Sequence, residues 1–368
     1  MKTTFKFIPA IVISIMLLTS CRHCNKSYVT TVAPDWGEAH WQDLPENPLI
    51  DPTSDVLPDL VIGDPQIILP GEFDAQWHAF YHGFSHDDTG WYTWFFHSAS
   101  EDGLHWTEVS REQGEIGIQY MFCDGDRWIQ YYTCTTSETN IPELKEKYHT
   151  IVRARTTRDF VNWTDPVDII YPETPAERDG YSIQARNPCV ILLPDGRYRM
   201  YYSAGTVFLP DAGYEEPKYI FCAEADNPLG PFKKLGEPIL APDINLPYRN
   251  YGCGGFKAYG YGEGYIAFYN PIYIDSEQKS RSEIRMLVSD DGLSWKEADC
   301  NPIATPQPAI AWRSAIIYQL DVIHWEDALL MYFNAREGWR GGAERIGAIR
   351  LPLNGATPVR KLQKKYQF

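Results

Sequence analysis

Several side chains that could carry acid–base chemistry stand at the ends of apolar runs. Asp64 precedes Pro65 and the apolar run Ile67–Leu69, so its carboxylate would lie at the entrance of a buried segment. A carboxylate there can act as a general base, and a protonated carboxyl or a His can supply the proton. The candidate donors lie in polar segments and are Glu215, Glu216, Glu337, Glu344, His82 and His86. The simpler interpretations are a turn cap for Asp64, solvated carboxylates for the Glu residues and a hydrogen-bonded imidazole for His82.

The elements that must position these groups form a repeat. Five alternating or apolar runs each end in an aromatic pair: Phe80-Tyr81, Tyr131-Tyr132, Tyr201-Tyr202, Phe268-Tyr269 and Tyr332-Phe333. The pairs are spaced by 51, 70, 67 and 64 residues. A repeat of this length with about four strands is typical of a β-propeller. The sequence therefore predicts an all-β fold over residues 58–353. We expect a five-bladed β-propeller of four-stranded antiparallel blades, with hardly any helix.

A second pattern supports the same repeat. The motif S/T-x-D-x-x-x-W begins at Ser100, Thr157 and Ser289, and a variant that ends in Phe232 fills the remaining gap. Each copy falls where a third strand would turn into a fourth. The segments after the second strands are longer, at 83–91, 134–150, 203–218, 270–283 and 334–344. We expect them to be loops at one end of the propeller, and long loops on a rigid scaffold usually carry the function.

Residues 1–20 have the composition of a targeting segment. Lys2 and Lys6 precede an apolar run, which ends in Leu18-Thr-Ser-Cys21 and resembles the lipobox of bacterial lipoproteins. We expect a lipid anchor at Cys21, with an ordinary cleaved signal as the alternative. Basic residues follow Cys21, so the expected location is the cell envelope of a Gram-negative bacterium, facing the periplasm.

The two ends of the chain are expected to lie outside the propeller. Residues 21–57 are polar and Pro-rich, which indicates a tether, and we expect Trp36 and Trp41 to dock on the propeller edge. Residues 354–368 form a C-terminal tail that either packs back as a closing strand or extends freely.

Charge and cysteine content restrict the partners. The formal net charge is −16, which argues against nucleic acid because few groups would neutralise phosphates. The eight cysteines show no pattern that requires a metal, and buried free thiols are the simplest expectation. A disulfide between Cys189 and Cys222 inside the third blade is the alternative.

The motifs together resemble the five-bladed propeller glycosidases of glycoside hydrolase family 43 and its relatives in families 32 and 117. The resemblance rests on Asp64-Pro65, on Asp-Gly turns followed by Tyr-rich strands, and on the segments Thr157–Trp163 and Asn227–Phe232. It covers nearly the whole chain from residue 59 to 353. It implies a glycosidase, arabinofuranosidase- or xylosidase-like, that acts on plant or algal polysaccharide fragments. No cofactor is implied, and a structural calcium ion in the channel is left open by analogy.

The resemblance also implies catalytic carboxylates on the first strands of blades one to three. Asp64 matches the general base of the family. Alignment of the Asp-Gly turns places Gln119 where the second Asp belongs, and Arg186-Asn187-Pro188 where the general-acid Glu is expected. The proton donor should therefore be non-standard, and Glu216, Glu337 and His82 are the candidates. A His donor has precedent in the family 117 relatives.

The remaining candidates would bind substrate. Gln119 and Asn187 fall in the same set of first strands. Arg186 and Arg313 also head inner strands, so both should point towards the channel and could clamp the carboxylate of a uronic acid. The alternative is that they form ion pairs with Asp64 and a neighbouring acid. Trp91 and Trp312 are candidate platforms for sugar rings, although most Trp in a propeller lies in the core.

Two functions remain open. The first is a glycoside hydrolase with Asp64 as base, which the long loops and their acids favour. The second is a catalytically inactive sugar-binding lipoprotein, which Gln119 and Arg186 at the expected acid positions favour.

Overall fold

The computed structural model describes residues 32–33, 36, 39–52, 60–137, 141–262, 264–353 and 357–358. The predicted leader and Cys21 lie outside this part of the chain. Within it, the helical segments are short: α1 (Pro142–Lys147) and a 3-10 turn (Ala311–Arg313). No helix of the described ranges has the length and hydropathy that a bilayer crossing requires.

The strands form five four-stranded antiparallel sheets, as the repeat predicted. Two short strands come first: β1 (Val32–Ala33) and β2 (Gln42–Asp43). Blade one contains β3 (Val61–Ile68), β4 (Trp77–Asp87), β5 (Gly90–Ser100) and β6 (Thr107–Gln113). Blade two contains β7 (Ile116–Asp124), β8 (Arg127–Thr135), β9 (Thr150–Thr157) and β10 (Val167–Ile170). Blade three contains β11 (Ala185–Leu192), β12 (Tyr198–Leu209), β13 (Tyr214–Ala225) and β14 (Lys233–Lys234).

The last two blades depart slightly from this order. Blade four contains β15 (Phe256–Tyr261), β16 (Gly264–Tyr269), β19 (Arg285–Ser289) and β20 (Lys296–Glu297). Its second connection carries a small hairpin of β17 (Ile272–Ile274) and β18 (Ser280–Ser282). Blade five contains β21 (Ile316–Trp325), β22 (Ala328–Arg336) and β23 (Glu344–Pro352), with β2 as its outer strand. A separate two-residue ladder joins β1 to β24 (Thr357–Pro358).

The N-terminal segment closes the propeller rather than serving only as a tether. Gln42 pairs with Arg350, so part of the predicted 21–57 tether completes blade five. Trp36 and Trp41 pack against the core cluster of blades four and five, which confirms their predicted docking on the propeller. The buried Arg313 forms an ion pair with Asp43, an exposed residue of the closing strand.

The aromatic pairs lie on the second strand of every blade, as predicted. All ten side chains are buried, because successive residues of a strand point to opposite faces and each face packs on a neighbouring blade. Tyr332 shows how this joins the blades. Its hydroxyl donates to the main-chain carbonyl of Gly103 in blade one at 3.0 Å.

The S/T-x-D motifs form turns between third and fourth strands. In blade one the Ser100 hydroxyl accepts the Gly103 amide, and the Asp102 carboxylate accepts the amides of Leu104 and His105. The same bonds recur around Asp159 and Asp291. These amide donors hold the pKa of the three carboxyls below its usual range, with the His105 side chain contributing most at Asp102. The motif is structural.

Three of the predicted loops are hairpins. β4 and β5 pair without interruption to Asp87 and Gly90, so most of 83–91 extends blade one. β12 and β13 pair to Leu209 and Tyr214 and extend blade three in the same way. The blade-four segment forms β17 and β18. These extensions make rigid walls at the end of the propeller where loops were expected.

The cysteine expectation holds only in part. Cys189 and Cys222 do not bond to each other, and both are free together with Cys134, Cys253 and Cys300. Cys123 is disulfide-bonded, which corrects the expectation of free thiols at that position.

Candidate active site

Bulges near the start of the inner strands determine the positions of Asp64 and Asn187. The pairing of β3 with β4 shifts between Gly63 and Gln66, which leaves Asp64 in the bulge with a φ of 55°. The pairing of β11 with β12 shifts in the same way after Arg186, and Asn187 also has a φ of 55°. Asp64-Pro65 and Asn187-Pro188 are therefore equivalent positions in blades one and three. Asp and Asn are among the few residues that tolerate this left-handed conformation.

The same bulges correct the alignment of blade two. There the pairing shifts between Ile116 and Gln119, so Gly117 occupies the position of Asp64. Gln119 is equivalent to Gln66, and both side chains are fully buried. Gln119 accepts a hydrogen bond from Gln130 at 2.8 Å and does not line the cavity described below. Its predicted role in substrate binding is therefore not supported by its position.

A cavity of about 930 Å³ opens at the end of the propeller where the extended hairpins stand. All five blades contribute to its lining. The predicted residues that line it are Asp64, His82, His86, Trp91, Arg186, Asn187, Glu215, Glu216 and Glu344. Trp91 lies on the β5 side of the blade-one hairpin with 67% of its surface exposed, and its ring packs on His86 at 5.0 Å. Its position suits a platform for a sugar ring.

Asp64 is buried at the bottom of this cavity. Its backbone amide donates to the Asn334 side-chain oxygen at 3.0 Å, which ties the bulge to blade five. A Cβ on Gly63 would lie 2.6 Å from the Asn334 amide nitrogen, so this contact requires glycine there. In the carboxyl group, Oδ1 lies 4.0 Å from the Nδ1 of His82, and Oδ2 has no hydrogen-bond partner within the described residues.

Burial dominates the ionisation of Asp64. Desolvation raises its pKa to about 7, the positive charges of Lys257 and Arg186 oppose this, and the carboxyls of Glu344 and Glu216 add to it. Lys257 is fully buried on the inner strand of blade four. The alternative that Arg186 or Arg313 forms an ion pair with Asp64 is wrong, because Arg186 forms no ion pair within the described residues and Arg313 is bound to Asp43.

Glu216 is the second acid of the cavity. It lies on β13 within the blade-three hairpin, is 9% exposed, and its carboxyl forms no hydrogen bond within the described part of the chain. Burial raises the pKa of Glu216 to about 7 against the lowering effect of Arg186, while Glu344 raises it further. Near neutral pH its carboxyl is therefore available as a proton donor.

The two carboxyls can serve opposite roles. The negative charge of Glu216 raises the pKa of Asp64, so ionisation of one group disfavours ionisation of the other. Near pH 7 each carboxyl is therefore accessible in both forms, and a hydrolytic reaction needs one carboxylate as base and one protonated carboxyl as acid.

A network from blade five lies beside this pair, and of its residues the sequence had indicated only Glu344, as a candidate proton donor. The Asn334 side chain donates to the Glu344 carboxylate, and Arg336 forms an ion pair with the same carboxylate at 2.9 Å. The Arg336 guanidinium also lies 5.2 Å from the ring of Tyr214. Tyr214 and Tyr318 share a hydrogen bond of 2.7 Å between the blade-three hairpin and β21. The acidic and basic side chains of segment 334–344 are visible in the sequence. Their partners cannot be read from it, because they come from distant parts of the chain.

Three predicted site residues lie elsewhere. Glu337 is on the surface, where hydrogen bonds from the Arg345 side chain and the Ala343 amide lower its pKa, so it is ionised and not a donor. Arg313 is bound to Asp43 behind blade five. Trp312 is 5% exposed and packs against Phe333 in the core. The 3-10 turn that precedes β21 directs Arg313 and Trp312 away from the cavity.

His82 lines the cavity but is a poor proton donor. Burial lowers its pKa to about 3, with a partial opposing effect from a hydrogen bond to the Gly63 backbone. Its imidazole is therefore neutral at physiological pH. A neutral imidazole beside Asp64 can accept or relay a hydrogen bond, whereas proton donation as an imidazolium would require strongly acidic conditions.

His82 should make the fold sensitive to acid. The unfolded chain binds a proton at His82 below pH ~6.5, whereas the folded protein does so only near pH 3, so the unfolding free energy decreases as pH falls through this window. At pH 5 this amounts to about 2 kcal/mol relative to pH 8. In urea denaturation, His82→Gln should lose less stability than the wild type between pH 8 and pH 5, by about that amount. The matched control His40→Gln, at an exposed position, should keep the wild-type slope. An unchanged slope in His82→Gln would mean that His82 is protonated in the folded state.

The described residues contain no group of three or more His, Cys, Asp or Glu side chains arranged to hold a metal ion. The cation that most lowers the pKa of Asp64 is the ammonium of Lys257. It donates to the Pro188 carbonyl at 3.4 Å and lies 4.9 Å from the ring of Tyr120. The Lys257 ammonium therefore contributes positive charge near Asp64 at the bottom of the cavity.

The fold and the cavity define a five-bladed propeller with a buried acid pair at one end. No protein-family model and no curated protein matches the sequence. The structure is similar to a glycosyl hydrolase from Bacteroides ovatus, with 12% identity and a TM-score of 0.60 over 92% of this chain and 100% of that one. It is also similar to the catalytic domain of a family 62 α-L-arabinofuranosidase from Coprinopsis cinerea, with 15% identity and a TM-score of 0.58 over 87% and 99%.

A third similar structure represents family 130 of mannoside phosphorylases, described as containing hydrolases that target β-1,2-mannosidic linkages in Candida mannan. The identity is 12% and the TM-score 0.59, over 90% of this chain and 99% of that one. At these identities the similarity establishes a shared propeller fold, as the resemblance to family 43 and its relatives had implied.

Proposed function

We propose that this chain is a glycoside hydrolase in which Asp64 is the general base and Glu216 the general acid. The observation that carries the proposal is the pair of buried carboxyls in one cavity, both free of ion pairs within the described residues and both with a pKa raised to about 7. Hydrolysis of a glycosidic bond needs one carboxylate and one protonated carboxyl on opposite sides of that bond.

The proposal gives a role to each group. Protonated Glu216, on the wall of the cavity, donates its proton to the glycosidic oxygen as the bond to the leaving group breaks. Ionised Asp64, at the bottom, takes a proton from the attacking water or stabilises the positive charge that develops on the sugar. Lys257 favours the ionised form of Asp64, and Trp91 at the rim offers a surface for a sugar ring.

The proposed substrates are fragments of plant or algal polysaccharides. Arabinofuranosides and xylosides are the first ones to test. The α-L-arabinofuranosidase among the similar structures supports the inclusion of arabinosides. Incubation with a panel of oligosaccharides, followed by detection of new reducing ends, tests the proposal. Release of reducing ends that depends on both Asp64 and Glu216 is the expected result.

A sugar-binding protein without turnover is the second candidate. Blade two contributes only Ile118 to the cavity, so the carboxylate that the family resemblance implies there is missing. Oligosaccharide binding in calorimetry, together with no reducing ends from any member of the panel, would favour this second function.

We also propose that the protein is lipid-anchored through Cys21, on the strength of the Leu-Thr-Ser-Cys motif after an apolar run. Labelled palmitate should enter the protein expressed in a Gram-negative host, and Cys21→Ala should abolish the labelling. Labelling that persists in Cys21→Ala would place the lipid at another residue and remove the motif from the argument.

A further inference from the structure

Arg186 differs from the buried arginines of the propeller. Every arginine that is less than 9% exposed in the described residues forms an ion pair with a carboxylate: Arg153, Arg155, Arg199 and Arg313. Arg186 is partly exposed, lines the cavity and forms no ion pair within the described ranges. Partial burial of a cation without a counter-ion costs desolvation free energy. An unpaired arginine in a cavity therefore indicates a site where an anionic ligand could bind.

The hydrogen bonds of Arg186 leave most of its guanidinium available. One Nη2–H donates to the main-chain carbonyl of Glu215 at 3.1 Å, and Nε is buried without a partner in the described structure. The Glu215 carboxylate is held by donors other than Arg186: the Ser182 hydroxyl and the Gln184 amide. The guanidinium is therefore anchored at one corner, and Arg186 lines the cavity without a carboxylate partner in the described structure.

The neighbouring acid cannot act as a permanent counter-ion. Glu216 is the acid whose charge interacts most strongly with Arg186, yet the proposed reaction requires Glu216 to be protonated when substrate is bound. In that state the nearby negative charges are those of Glu215 and Asp64, and neither carboxylate forms an ion pair with Arg186 within the described residues. Arg336, the other guanidinium of the cavity, is already paired with Glu344.

We propose that the substrate carries a carboxylate, as in a hexuronic acid residue, and that Arg186 binds this group. The inference rests on the proposed hydrolase function and narrows its substrate to acidic oligosaccharides. A planar carboxylate can accept two N–H groups from one guanidinium, which gives both affinity and orientation. The bound carboxylate would complete the missing ion pair beside the acid pair.

Binding of a carboxylate should also favour the acid form of Glu216. The positive charge of Arg186 lowers the pKa of Glu216, and a counter-ion on Arg186 removes most of this effect. An acidic substrate would therefore help to keep the donor protonated, and a neutral analogue would not.

The test compares acidic oligosaccharides with the same compounds after reduction of each carboxyl to a primary alcohol. We expect wild-type kcat/KM to be about 10- to 100-fold higher for the acidic member of the pair, which corresponds to hydrogen bonds to a charged group. Arg186→Met should lose this preference, so that its kcat/KM values for the acidic and the reduced compound become similar. Arg158→Met, at an exposed arginine outside the cavity, should keep the preference.

The outcomes separate this inference from the proposed function. Equal hydrolysis of both members by the wild type would overturn the carboxylate while leaving the hydrolase intact. Cleavage that requires inorganic phosphate and is lost in Arg186→Met would also overturn it, because the anion would then be phosphate. If no glycoside is cleaved, the carboxylate site is tested by calorimetry, which measures the binding of glucuronic and galacturonic acid to Asp64→Asn. Binding that is lost in the Asp64→Asn/Arg186→Met double variant supports the carboxylate site even without turnover, and no binding excludes it.

Discussion

Asp64→Asn should lower kcat on a cleaved glycoside by about 10²–10⁴-fold, because the amide cannot accept the proton that a general base removes. The substitution is sterically mild. Asn187 occupies the equivalent bulge in blade three with the same φ of 55°, so the backbone of Asp64 accommodates Asn. The hydrogen bond from its main-chain amide to Asn334 is independent of the side chain. Steady-state kinetics with reducing-end detection measures the effect.

Stability should change in the opposite direction to activity. The Asp64 pKa of about 7 shows that burial disfavours its charge, so the ionised group destabilises the folded state increasingly as pH rises from about 4 to above 7. Asn removes this cost, and the Tm gain over the wild type should be larger at pH 8 than at pH 4. Wild-type turnover in Asp64→Asn would remove Asp64 from the mechanism. A collapse of Tm instead would make it a structural cap and favour the sugar-binding function.

Glu216→Gln should reduce kcat/KM by about 10²–10⁴-fold on substrates with a poor leaving group, and much less on aryl glycosides whose leaving group needs no proton. The wild-type rate should fall above pH ~7 as Glu216 loses its proton, and this alkaline limb should disappear in the variant. A pH series with both kinds of substrate measures the two effects.

The control for Glu216 is Glu101→Gln, at an exposed position in the turn after β5. It should keep the wild-type rate and pH profile. Equal losses on activated and unactivated substrates would show that Glu216 has another role, such as binding. Glu344 would then be the next carboxyl to test, since it is buried in the same cavity.

The fold was predictable because its determinants repeat. Each aromatic pair fills two interfaces between blades, so the same residue types return at every second strand and the period is visible without a structure. The hairpin extensions were less visible. Segment 83–91 contains Gly, His and Asp residues that suggest a loop, but cross-strand pairing continues to Asp87 and Gly90 because the residues alternate between the cavity and the outer side.

The site was predictable where local sequence decides the geometry. Asp64-Pro65 marks a bulge at the start of an inner strand, and its place in the cavity follows from that bulge. Gln119 was misplaced by two positions because a bulge leaves no signature in residue spacing. Arg313 was misplaced because the 3-10 turn before β21 rotates its side chain towards Asp43, which is 270 residues away in the sequence. Contacts of this separation cannot be inferred from one sequence.

The closing strand β2 also constrains the order in which the protein can fold. Gln42 pairs with Arg350, so the propeller ring is complete only after nearly all of the chain has been synthesised and the other blades are available. Contacts between residues so far apart form slowly, because the entropic cost of closing a long loop comes before the favourable free energy of the contacts. Until then β23 is an unpaired edge, which is a site for association with other chains. Expression of a version that begins after Asp43 would make this edge permanent. We therefore expect a version that lacks the residues around β2 to aggregate more readily than one that keeps them.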